Sequence, residues 1–188
     1  MLTERFERAL VFAARLHRDQ RRKGSGVPYV SHLLAVCELT LEYGGDEEEA
    51  IAALLHDAIE DQGGALARAE IFREFGAGVT EIVEGCTDTD RSPKPPWRPR
   101  KQAYIARIGE ASASVRLVSA CDKLHNARSL VMDYRVLGED LWGRFTGGRE
   151  GTLWYYRAMV NALRAAGPAP VVDELDRVVT ELETLASA

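Results

Sequence analysis

Residues 51–61 read Ile51-Ala52-Ala53-Leu54-Leu55-His56-Asp57-Ala58-Ile59-Glu60-Asp61. A helix advances about 100° per residue, so His56, Asp57, Glu60 and Asp61 fall in one arc while Ile51, Ala52, Leu55 and Ile59 occupy the other side. The spacing predicts a helix with one flank in the core and one flank carrying chemistry. Three carboxylates beside an imidazole repel one another strongly on an apolar helix unless solvent or a cation neutralises them. A divalent metal is the economical answer.

Outward from this stretch the chain reads as helix after helix. Upstream, Asp46 is placed to cap the helix, and Glu47, Glu48 and Glu49 fill a first turn where the helix dipole favours negative charge. Downstream, Gly63-Gly64 ends it. Leu2, Phe6, Leu10, Ala13 and His17 give a first amphipathic helix over residues 2–18. A loop over 19–28 holds Arg21, Arg22 and Lys23, and a helix over 29–43 places His32 in its first turn. Two short helices are expected over 65–75 and 78–86, then a loop over 88–99 whose four prolines rule out a helix or a central strand. Helices are expected over 100–112, 115–131, 137–145, 153–166 and 171–185. The fold class is therefore all-α, about ten helices in a single domain over 1–188.

Composition agrees. The 188 residues, 46% hydrophobic and 28% charged, are those of one globular core. No stretch reaches the length of a membrane span, and the amino terminus opens a helix in place of a signal peptide, so a cytoplasmic protein without membrane partners is expected. Cys37, Cys86 and Cys121 lack CxxC spacing and are expected to be reduced thiols. A net charge of −5 argues against a nucleic-acid binder, whereas the local clusters Arg21-Arg22-Lys23 and Arg98/Arg100/Lys101 suit a small polyanion.

Two further blocks carry the chemistry: RKGSGVPYVSH (22–32) and CDKLHNARSL (121–130). With LLHDAIEDQ (54–62) between them they give the order H…HD…D over His32, His56, Asp57 and Asp122. In this the chain resembles the HD-domain phosphohydrolases, and within them the (p)ppGpp hydrolase domain of the RelA/SpoT type and its small stand-alone relatives, over about residues 1–165. The resemblance implies an HD helical bundle with His32, His56, Asp57 and Asp122 as ligands, typically of manganese. Two nitrogen and two oxygen donors suit such a borderline-hard ion. It also implies Glu60 and Asp61 as the pair that positions water and takes its proton, and Arg22 and Lys23 as phosphate contacts. Arg100 and Lys101 match a second basic pair less closely, and Asn126, four residues beyond Asp122, faces a sugar hydroxyl or the water. The sequence departs from the family at Leu33 and Gln62, where proline and threonine are common. The implied reaction is removal of the 3′-pyrophosphate of (p)ppGpp. Phosphatase action on NADPH or another phosphorylated nucleotide, a non-catalytic nucleotide sensor and an interaction scaffold remain open.

Overall fold

The computed structural model describes residues 1–91 and 93–187. Among them are nine α-helices, one 3₁₀ helix and no strand: α1 (Glu4–Leu16), α2 (Val30–Glu42), α3 (Glu47–Leu55), α4 (Ala58–Gln62), α5 (Ala65–Cys86), α6 (Trp97–Ile108), α7 (Ala113–Leu137), the 3₁₀ helix (Gly138–Arg144), α8 (Gly148–Ala165) and α9 (Pro170–Ser187). No helix of the described residues is long and apolar enough to cross a membrane.

α3 is the centre. Its start is fixed by a capping box in which the Asp46 carboxylate accepts from the Glu49 amide at 3.0 Å and the Asp46 amide donates to the Glu49 carboxylate at 2.8 Å. Every residue from Ala50 to Leu55 is fully buried. The helix is therefore apolar on all sides, enclosed by α1, α2, α5 and α7, and not half polar as the spacing predicted. Three alanines in that run let its neighbours approach closely. The polar flank is created instead by a break. The backbone leaves helical geometry at Asp57 (φ −100°, ψ 0°) and restarts as α4, so His56 and Asp57 stand at a junction where the buried rod ends.

The boundary expected within 65–86 is present: α5 is two helical stretches parted at Gly76, whose non-helical backbone (φ 79°, ψ −178°) suits a residue without Cβ. The other departures are local. α6 begins at Trp97, three residues earlier than expected, because Pro99 falls in the first turn, where its missing N–H has no intrahelical role. The expected helix over 137–145 is a 3₁₀ turn. α9 packs along α7 and α8, and α6 lies on α8. An antiparallel bridge between Arg21 and Pro28 pinches the basic loop shut.

Candidate metal centre

Three separate elements bring the ligand-type side chains together. His32 comes from the first turn of α2, His56 and Asp57 from the α3–α4 junction, and Asp122 from the buried middle of α7. His56 Nε2 lies 3.0 Å from Asp57 Oδ2 and 3.6 Å from Asp122 Oδ1; His32 Nε2 lies 3.2 Å from Asp122 Oδ1 and 3.6 Å from Asp57 Oδ2. Donor atoms held about 2.1 Å from one ion stand about 3 Å apart at octahedral angles and slightly more at tetrahedral ones, so these separations fit a cation between them. The ligand-type atoms of His32, His56 and Asp57 all lie within 4.8 Å of one another. Asp122 approaches both imidazoles while Lys123 and Asn126 engage its carboxylate, Asn126 Nδ2 donating at 2.5 Å.

The tautomers agree with this fit. His56 Nδ1–H donates to the Ala53 carbonyl at 2.8 Å, which leaves the Nε2 lone pair aimed into the site, buried and without a hydrogen-bond partner. His32 Nδ1 lies 2.8 Å from His125 Nδ1, a pairing that takes one proton. Placed on His32, that proton leaves Nε2 free for a cation, the outer-sphere arrangement common to metal-binding histidines. Burial, with His32 and Arg22 nearby, lowers the His125 pKa to about 4, which keeps His125 neutral at pH 7 and able to accept that proton's hydrogen bond. Burial opposes charge on His56, yet Asp57 and Asp122 outweigh it and raise its pKa.

Glu60 and Asp61 follow one turn on, in α4. Glu60 accepts from Lys94 Nζ at 2.8 Å and from the Asp88 amide at 3.2 Å. Asp61 accepts from Gln20 Nε2 at 2.8 Å, with Lys94 3.7 Å away. Burial and the neighbouring Asp57 raise the Asp61 pKa, which makes it a better proton acceptor than an ordinary carboxylate. Arg100 and Lys101 both pair with Asp88, Lys101 at 2.8 Å, and lie on the α6 side, apart from Arg22 and Lys23.

Two adjoining cavities meet here. A small polar one of about 170 Å³ is lined by Asp57, Glu60, Asp61, Asp122, Lys101 and Lys123, among others. A wider one of about 460 Å³ is lined by Arg22, Lys23, His125, Leu130, Phe145 and Tyr156, among others. Tyr29 and Asn126 border both. Arg22 Nη2 donates to Asn126 Oδ1 at 2.9 Å and so ties the basic loop to the carboxylate cluster.

Several members of this site were not singled out from the sequence. The Tyr29 hydroxyl donates to Asp57 Oδ2 at 2.6 Å, and its signal was its place three residues before His32. Lys123 is adjacent to Asp122 in the CDKLHN block, and Lys94 arrives from the proline-rich loop, where spacing gives no signal. His17 stacks on Tyr29 with ring centroids 5.4 Å apart and hydrogen-bonds Gln20, so it supports the site from behind.

Comparison with known proteins follows the same lines. The family model described as HD domain matches residues 9–153. Guanosine-3′,5′-bis(diphosphate) 3′-pyrophosphohydrolase MESH1 of Homo sapiens is 38% identical over 122 residues, 63% of this chain and 65% of that protein. The enzyme named guanosine-3′,5′-bis(diphosphate) 3′-pyrophosphohydrolase in Haemophilus influenzae is 35% identical over 120 residues, 61% of this chain and 17% of that one. These alignments thus span less than two thirds of either curated relative. Among solved structures, that of a metazoan ortholog of SpoT described as hydrolyzing ppGpp aligns at a TM-score of 0.79 and 29% identity, covering 95% of each chain. A crystal structure from Listeria monocytogenes EGD-e aligns at 0.69 and 29%, covering 84% of this chain and 99% of that one. Because the matched region runs from α1 into α8 and takes in His32, His56, Asp57 and Asp122, the chain belongs to the HD-domain family.

Proposed function

We propose that this chain is a divalent-metal-dependent hydrolase that removes the 3′-diphosphate of (p)ppGpp as pyrophosphate, with manganese as its ion. The observation that carries the reading is the convergence of His32, His56, Asp57 and Asp122 beside Glu60 and Asp61, where a small polar cavity opens onto a wider basic one. The names of the human and Haemophilus relatives and the activity of the metazoan structural relative support it.

His32, His56, Asp57 and Asp122 would hold the ion. When bound, a divalent cation polarises a phosphoryl oxygen and makes water easier to deprotonate. The chain's own residues supply the rest. Asp61, its pKa raised, accepts the proton of the attacking water, and Glu60 holds that water's other face. The water oxygen bonds to the phosphorus next to the 3′-oxygen, the bond from that phosphorus to the 3′-oxygen breaks, and the 3′-hydroxyl forms as it takes up a proton. Arg22 can grip the 5′-phosphates in a bidentate manner and Lys23 adds a point charge. Asn126, shared by both cavities, would hydrogen-bond the ribose. Arg100 and Lys101 act through Asp88, Lys101 also facing the small cavity.

The partner in this reading is a small nucleotide, consistent with a net charge of −5 that disfavours nucleic acid. Cys37, Cys86 and Cys121 are free thiols, which fits a cytoplasmic location. The packing of α9 along α7 and α8 supports reading residues 1–188 as a single domain. Turnover of a panel of ppGpp, pppGpp, GTP and NADPH by protein loaded with Mn²⁺ tests the reading. The highest kcat/KM is expected on the guanosine 3′-diphosphates; preference for NADPH overturns the substrate.

A further inference from the structure

Glu60 and Asp61 sit on an element too short to hold itself. α4 has five residues, is entered through the break at Asp57 and is left through Gly63 and Gly64, both of positive φ. A helix of this length fixes more backbone than its own hydrogen bonds repay, so tertiary contacts decide where its side chains point. Ala58 and Ile59 bury one face. From the last position, Gln62 reaches back to the loop that follows α1.

The contacts there form a chain whose polarity is dictated by one end. Gln20 Nε2 lies 2.8 Å from Asp61 Oδ2. An ionised carboxylate only accepts, so the Gln20 amide must turn its NH2 to Asp61 and its carbonyl oxygen the other way. That oxygen lies 2.5 Å from Gln62 Nε2 and 2.6 Å from His17 Nδ1, and both must donate to it. His17 is suited to this: burial lowers its pKa and keeps the ring neutral, with the proton on Nδ1 and a bare Nε2 that has no partner. Two donors on one oxygen lock the Gln20 amide against the flip that would face its oxygen to Asp61. Asp61 Oδ2 is thereby occupied, and Oδ1, with Lys94 3.7 Å away, is left for a water.

Gln62 is also one of the two positions at which the sequence departs from the relatives it resembles. Threonine carries its hydroxyl on Cβ, whereas the amide nitrogen of Gln62 is borne on Cδ, two carbons farther out; from the same backbone the hydroxyl falls short of Gln20. We infer that Gln62 is a positioning residue: by clamping the Gln20 amide it fixes Asp61 in the rotamer from which Oδ1 takes the proton of the attacking water. This rests on the proposed reaction and adds one residue to it, a residue that touches neither ion nor substrate.

The test uses Gln62→Met and Gln20→Met, which keep side-chain length at two half-buried positions and remove the amide. Gln62→Met should lower kcat on ppGpp about fivefold and Gln20→Met about tenfold, with KM and Mn²⁺ affinity within about twofold of the parent, since a misplaced proton acceptor costs transition-state stabilisation alone. The double variant should be no slower than Gln20→Met, because Gln62 acts through Gln20; independent packing defects would multiply. A second readout needs no turnover. The chain has three glutamines, Gln20, Gln62 and Gln102, so ¹⁵N-glutamine labelling gives three side-chain NH2 signals. In metal-free protein the Gln20 signal should shift in Gln62→Met and in Asp61→Asn, and the Gln102 signal in neither. An unchanged kcat in Gln62→Met, multiplied effects in the double variant, or a Gln20 signal that ignores Gln62→Met overturns the inference and spares the reaction. A parent that leaves ppGpp intact, or an Asp61→Asn variant as fast as the parent, while the NMR shifts appear as stated, overturns the reaction and spares the clamp.

Discussion

Binding a divalent ion should raise the melting temperature by an amount that the geometry bounds. The four ligand-type residues belong to α2, the α3–α4 junction and α7, so one ion links segments from His32 to Asp122 that no covalent tie connects. In the unfolded chain these groups are scattered and the ion loses its site. For one site at a free-ion concentration of 100 Kd, mass action adds about 2.7 kcal/mol to stability. An unfolding entropy of roughly 2.1 cal/mol/K per residue gives about 0.4 kcal/mol/K for a chain of 188 residues, so the shift is about 7 °C. Differential scanning fluorimetry of chelator-treated protein, titrated with Mn²⁺, reads it directly. His56→Ala should lose most of the response, because its Nε2 is the orphaned atom pointing into the cluster. A parent whose melting temperature ignores Mn²⁺, or an equal shift in His56→Ala, refutes the metal site.

Two further predictions concern single side chains. Glu60→Gln, which keeps size and removes the carboxylate that holds the attacking water, should retain bound metal by elemental analysis and lose turnover by about 10²-fold or more; parallel loss of metal would make Glu60 a ligand. Burial, opposed by the hydrogen bond to Gln20 and by Asp57 and Asp61, lowers the pKa of His17 from its ordinary 6.5. A histidine with a depressed folded-state pKa takes its proton more readily when unfolded, so its contribution is present above about pH 6.5 and lost as pH falls toward the folded value. Urea unfolding should therefore show stability falling below pH 6.5 with a slope from this group of at most about 1.4 kcal/mol per pH unit. The slope should flatten in His17→Gln, and a parent and variant of equal slope would contradict it.

How far the sequence could be read depended on what kind of signal each residue carries. His32, His56, Asp57 and Asp122 were legible because polar ligand types inside apolar runs have few other uses, and three separated blocks repeat the pattern. The all-helical class followed from periodicity and from the glycine and proline punctuation. The burial of α3 on every side was not legible, since small residues such as Ala50, Ala52 and Ala53 read equally well as core or as filler. Nor was the break at Asp57, which has no proline or glycine to announce it. Lys94 reaches Glu60 by a tertiary contact across 34 positions, which local spacing does not encode.

The most direct measurement is the product balance of ppGpp incubated with Mn²⁺-loaded protein, resolved by ion chromatography. Attack at the phosphorus joined to the 3′-oxygen requires GDP and pyrophosphate in equal amounts, with no orthophosphate. Orthophosphate without pyrophosphate, or no product from protein that demonstrably holds its metal, would contradict the account.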